Sequence, residues 1–132
     1  MRSKMFSGIA LVLCAVIMPG CLLAVGAAGG AGGVMYVKGN VSEYVNYPVS
    51  ELYQATLKVL DKRNMPLYSD THDSYKAKMT SELQDGRNVR IEIDSVTRDS
   101  SEIKIRVGAN GDQKEAVLLL EAIKSNAGPQ RL

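Results

Sequence analysis

The sequence predicts an α+β fold: an antiparallel sheet of four to five strands with two helices packed on one face, in the order β-α-β-β-β-β-α. Three observations carry it. After Pro48, the apolar residues Val49, Leu52, Tyr53, Leu57 and Leu60 recur at helical spacing, with Glu51, Gln54, Lys58, Asp61 and Lys62 on the other side. Between residues 75 and 107, apolar residues alternate with polar ones in three successive runs. Asp112, followed three residues later by Glu115, has the form of a capping box and opens a second amphipathic run. Two one-sided helices need a sheet to cover them.

Residues 36–47 read as the first strand, with Val37, Val41 and Val45 at even spacing. If Val37 faces inward, Tyr36 and Tyr44 share the exposed face, either to anchor a partner, since tyrosine is enriched at binding hot spots, or to cover the sheet edge or a neighbouring strand. Pro48 opens the first helix and Pro66 marks its exit, leaving Leu67-Tyr68-Ser69 as a short strand. Tyr75, Ala77, Met79, Ser81 and Leu83 then share one face of a strand, and Val89, Ile91 and Ile93 share one face of the next. A two-residue turn at Asp85-Gly86 would put these rows on opposite faces. A three-residue loop, Gln84-Asp85-Gly86 with Gly86 left-handed, aligns them, setting Met79 against Ile91 and Ala77 against Ile93.

Ile103, Ile105 and Val107 form the inward row of the last strand. Two registers keep the apolar rows together. One opposes Arg90 to Arg106 and Asp94 to Glu102; the other, with Arg98-Asp99-Ser100 as loop, opposes Glu92 to Arg106 and Asp94 to Lys104. Cross-strand charge pairs are worth about 0.2–1 kcal/mol, so charge favours the second. Asn110-Gly111 ends that strand. Ala116, Leu119, Leu120 and Ile123 line the second helix, and Gly128-Pro129 stop it, with residues 128–132 frayed.

The chain has 132 residues and a formal charge of +2. That near balance does not suit a nucleic-acid partner. The basic residues of the sheet, Lys76, Lys78, Arg90, Lys104 and Arg106, read instead as a self-neutralised, solvated face, with no aromatic residue interleaved to stack on bases.

The N-terminus is a separate matter. Arg2 and Lys4 precede an apolar stretch from Met5 to Met18 that is too short to span a bilayer, and Met18-Pro19-Gly20-Cys21 follows. This resembles the lipobox cleavage sites of bacterial lipoproteins, in which a small residue, here Gly20, precedes a cysteine that takes the lipid. The resemblance implies signal cleavage between Gly20 and Cys21, lipidation of Cys21, and anchoring of the mature chain to the membrane. Residues 1–20 are then the signal peptide, 21–35 the lipidated cysteine with an Ala/Gly-rich tether, and 36–127 the periplasmic domain. Without Arg2 and Lys4 the mature chain carries 14 basic against 14 acidic residues and no free thiol. Gly26/Gly30 and Gly29/Gly33 also have G-x-x-x-G spacing, so residues 5–37 have a second reading as one uncleaved, self-associating membrane segment interrupted at Pro19.

His72 is the single imidazole and lies in the polar run Ser69-Asp70-Thr71-His72-Asp73-Ser74. Its alternatives are a solvated surface residue or a base or metal contact in a small ligand-binding or hydrolytic protein. No nucleophile, zinc or phosphate-loop motif is seen. The expectation is therefore a non-enzyme with no catalytic residue, cofactor or metal.

The lipobox-like end, the Ala/Gly segment before Tyr36-Val37-Lys38-Gly39, the helix from Pro48-Val49-Ser50-Glu51-Leu52-Tyr53 to Lys58, and Ile105-Arg106-Val107-Gly108 together resemble a family of small bacterial lipoproteins known only as a domain of unknown function. These motifs are structural, so the likeness carries a location and a fold but no catalytic residue. A more distant likeness of layout is to the helix-grip domains of an outer-membrane assembly lipoprotein. In such lipoproteins an Asp after the lipidated cysteine retains the protein in the inner membrane; Leu22 in that place implies outer-membrane sorting, facing the periplasm. The expected function is a lipid-anchored envelope protein with a non-enzymatic binding or structural role, its partner another envelope protein meeting Tyr36 and Tyr44.

Overall fold

A computed structural model of the protein describes residues 33–129. The signal-like segment, the lipobox-like Gly20-Cys21 site and most of the Ala/Gly run lie outside the described residues. The chain runs through β1 (Met35–Val37), β2 (Asn40–Val45), α1 (Val49–Lys62), β3 (Leu67–His72), β4 (Lys76–Glu82), β5 (Asn88–Thr97), β6 (Ser100–Val107) and α2 (Gln113–Ala127). The fold is α+β, as the hydrophobic periods predict. Its sheet has six antiparallel strands in the order β1-β2-β6-β5-β4-β3. Because β2 pairs with β6, α1 carries the chain across the sheet to β3 at the far edge, and α2 packs beside α1 on the same face.

The additional strand comes from the predicted first strand, which is a hairpin. Lys38 and Gly39, with φ of 51° and 82°, form its two-residue turn. Tyr36 therefore opposes Val41, and Val37 opposes Asn40. Directly opposed side chains share a face, so Tyr36 lies on the helix side and Tyr44, three residues along from Val41, on the other. Val37 is exposed rather than inward.

Val41, Ala77, Met79, Val89, Ile91, Ile93, Ile103, Ile105 and Val107 line the covered face of the sheet. They meet Leu52, Ala55, Val59 and Leu60 of α1 and Ala116, Leu119, Leu120 and Ile123 of α2. Each Val, Leu, Ile or Met among them contributes about 1.5–3 kcal/mol on burial, and each Ala less. Local chemistry ends the helices. At the end of α1, left-handed Asn64 donates to the Asp61 carbonyl (3.1 Å) and Met65 to the Leu60 carbonyl (2.9 Å), so the chain turns off before Pro66. At the start of α2 the Asp112 carboxylate accepts from the Glu115 amide at 3.1 Å. The Glu115 side chain does not return the bond but takes Arg63 Nη1 at 3.1 Å, so only half of the capping box forms.

The β4–β5 hairpin has the predicted register, with Met79 opposite Ile91 and Lys78 opposite Glu92, and Gly86 left-handed at φ 88°. The β5–β6 hairpin does not. It sets Arg90 against Arg106 and Asp94 against Glu102, the register that charge disfavours. A bulge at Val96, between the pairs Ser95–Ser101 and Thr97–Ser100, shortens the loop to Arg98-Asp99. Thr97 and Ser100 share a hydroxyl hydrogen bond (2.7 Å), and Ser95 Oγ donates to the Thr97 carbonyl (2.9 Å), closing the turn. Neighbouring cations relieve the carboxylates: Lys104, diagonal to Asp94, lies 3.0 Å from Glu102 and 3.7 Å from Asp94, and Lys76, directly opposite Asp94 on β4, lies 2.8 Å from it.

Candidate functional site

Three features stand apart from the core: the free edge at β3, the open face of the sheet, and one acid beneath the helices.

β3 is an edge strand whose six residues are all exposed. The Asp73 amide donates to the Lys76 carbonyl at 2.8 Å, which sets the phase of the β3–β4 ladder. Hydrogen-bonded and non-hydrogen-bonded pairs alternate from there. Thr71 and Ser69 turn their backbone groups to β4, while Asp70 and His72 turn theirs outward. The Asp70 and His72 side chains lie on the helix side, opposite Met79 and Ala77. There Tyr53 of α1 donates to Asp70 Oδ2 at 2.5 Å, and its ring stacks on His72 with centroids 4.0 Å apart. The hydrogen bond to Asp70, with burial and the carboxylate's charge, pushes the Tyr53 hydroxyl above its ordinary pKa. His72 Nδ1 is 3.4 Å from Asp70 Oδ1.

His72 is thus a packed member of a Tyr–Asp–His cluster at the edge, half exposed, rather than a lone residue in a polar loop. The strand predicted at Leu67-Tyr68-Ser69 extends to His72, and Tyr68 at its exposed start reaches Glu82 (3.3 Å). Among the described residues no group of three or more His, Cys, Asp or Glu is placed to hold a metal ion.

The open face carries three polar rows: Lys76–Asp94–Glu102, Lys78–Glu92–Lys104 and Thr80–Arg90–Arg106. Lys76, Lys78 and Lys104 each have a carboxylate within 4 Å. The hydrogen bond to Asp94 raises the Lys76 pKa, and the one to Glu102 raises that of Lys104. Tyr44 stands at one margin of this face, beside Glu102. Tyr36 is on the opposite side, where its hydroxyl donates to the Gly111 carbonyl at 2.8 Å. Both tyrosines are exposed, but they do not form the single surface that a continuous strand would make.

Glu43 is the acid beneath the helices, 1% exposed between Val41 and Val45 and opposite Ile103. Lys124 of α2 reaches it at 2.9 and 3.1 Å. Burial opposes the lysine's charge, yet the hydrogen bonds to Glu43 and Glu121 outweigh it and hold the ammonium pKa above its ordinary value. The sequence carried a signal for this pair: in the alternation Val41, Glu43, Val45 an acid occupies an inward position.

No curated protein matches the chain. Between residues 4 and 126, which take in the signal-like segment, the hairpin, both helices and the whole sheet, it matches the family described as "Protein of unknown function (DUF3568)", and it belongs to that family.

Proposed function

We propose that this chain is a lipid-anchored bacterial envelope protein whose α+β domain binds another envelope protein without catalysing a reaction, taking an extended segment of that partner at the edge of β3. The observation that carries the reading is the outward set of backbone groups at Asp70 and His72 on a fully exposed strand. An extended segment beside them would continue the sheet by main-chain hydrogen bonds. Tyr53, Asp70 and His72 add a polar and aromatic shoulder on the helix side, and Leu67 and Tyr68 offer apolar surface at the start of the strand. Tyr36 and Tyr44, on opposite faces, are secondary to this edge. The anchor rests on the lipobox-like Gly20-Cys21 site, and Leu22 after the cysteine supports the outer membrane, facing the periplasm, as the location.

Two measurements test it. The intact mass of the protein from its own membranes is expected to show loss of residues 1–20 and added diacylglycerol and acyl mass. A full-length, unmodified mass overturns the anchor and favours the G-x-x-x-G membrane segment. For the edge, His72→Pro removes one outward N–H without removing a β3–β4 hydrogen bond, a place where edge strands accept proline. It is expected to abolish co-purification of the partner while leaving the unfolding midpoint within a few degrees. Retention of every partner overturns the edge as the docking strand.

A further inference from the structure

The register of β5 and β6 leaves two cations unneutralised. Arg90 and Arg106 stand directly opposite one another on the open face. Among the described residues neither makes an ion pair, whereas all three lysines of that face do. Arg106 is held in place: Nη1 donates to the Lys38 carbonyl at 2.7 Å and Nη2 to the Ala109 carbonyl at 2.6 Å. Those two bonds use two of its five N–H groups, leaving Nε–H and one hydrogen on each terminal nitrogen. Arg90, more exposed, keeps all five. Two adjoining hollows share the pair, one of about 270 Å³ bordered by Thr80, Asn88 and Gly108, the other of about 150 Å³ bordered by Asn40, Glu92 and Lys104. Glu92 is the one carboxylate on their margin, and Lys78 lies 3.5 Å from it.

Opposed like charges destabilise a sheet, and here the register sets the two arginines directly opposite one another, on the margin of the same hollows. An anion between them turns the repulsion into attraction. Guanidinium forks match the paired oxygens of phosphate, and a fork already immobilised by protein carbonyls loses less entropy on binding. Thr80, Asn88 and Asn40 supply neutral donors around the same hollows, and their side chains have no other hydrogen-bond partner among the described residues.

We infer that Arg90 and Arg106 form a binding site for a phosphate group, borne by a lipid headgroup or free in solution. The site is independent of the β3 edge, which lies two strands from Arg90.

The test uses the full-length purified protein and an arginine-selective dicarbonyl reagent, with labelling read residue by residue by mass spectrometry. Inorganic phosphate at millimolar concentration is expected to slow labelling of Arg90 about tenfold, as a bidentate charge-assisted contact of moderate affinity would. Arg98, in the β5–β6 turn at the other end of the strands, serves as the internal control and is expected to be unchanged. If Arg90 is protected only on vesicles containing phosphatidylglycerol, and not on phosphatidylcholine vesicles or by inorganic phosphate, the site stands and the headgroup is its ligand. Arg106→Gln is expected to abolish protection of Arg90 in either arm. Protection of Arg98 equal to that of Arg90, or no protection by any probe, overturns the site.

Discussion

Replacing Lys124 with methionine is expected to lower the unfolding free energy by about 3–5 kcal/mol. The loss comes from the partner left behind. Glu43 projects from β2 into the apolar layer, opposite Ile103, and Lys124 is its cation. Once two charges have been desolvated together, removing one strands the other. The paired change Glu43→Leu with Lys124→Met is expected to recover most of the loss, since a buried ion pair contributes little more than well-packed apolar groups of similar volume. Urea denaturation of the two single variants and the double variant closes the cycle. A single-variant loss below about 1 kcal/mol would place the pair with solvated surface bridges and contradict the burial of Glu43.

The second large effect is expected at Gly111. Its φ is 73°, and a Cβ built there falls on the backbone Cα and carbonyl oxygen of Gly39, neither of which is the movable end of a side chain. Gly111→Val therefore combines left-handed strain of about 1–2 kcal/mol with displacement of the whole β1–β2 hairpin. The Tyr36 hydroxyl loses the Gly111 carbonyl in the same movement, and Arg106 loses the Lys38 carbonyl. A total of about 3 kcal/mol or more is expected, read as a lower denaturation midpoint. Gly86 provides the contrast. It has φ 88° but open space around its Cβ position. Gly86→Asn, with a residue that tolerates the left-handed region, is expected to cost less than about 1 kcal/mol. Equal losses at the two positions would mean that backbone strain, not the contact between the turns, sets the cost.

The parts of the fold governed by period were legible in the sequence. The faces of α1 and α2, the inward rows of β4, β5 and β6, and the β4–β5 register all follow from spacing, with Gly86 fixing the loop. What spacing does not carry was lost. Lys38-Gly39 lacks the Asn-Gly form that marks a tight hairpin, so in the sequence β1 and β2 read as one strand, which puts Tyr36 on the wrong face. In β5–β6, pairwise charge carries neither the bulge at Val96 nor the placing of Lys104 within reach of both like-charged carboxylates. Each opposed pair costs about 0.2–1 kcal/mol, a range that the turn hydrogen bonds of Ser95, Thr97 and Ser100, at about 0.5–1.5 kcal/mol each, can offset together. The candidate sites were the least legible. The outward backbone groups of β3 depend on ladder phase, and the isolation of Arg90 and Arg106 depends on the register that charge had argued against.

The pairing of β2 with β6 bears on the order in which the chain can become folded. Val41 meets Ile105 about sixty residues later, so the β1–β2 hairpin has no neighbour until the last strand arrives. Closing a loop of that length costs roughly 4 kcal/mol before any contact repays it. Until then Val41 and Val45 are exposed and Glu43 lacks Lys124, which lies near the C-terminus. Synthesis runs from the N-terminus, so the nascent chain has no completed sheet until β6 has emerged. The hairpin therefore waits on β6 and α2, which together act as the latch that completes the sheet and pairs its buried acid.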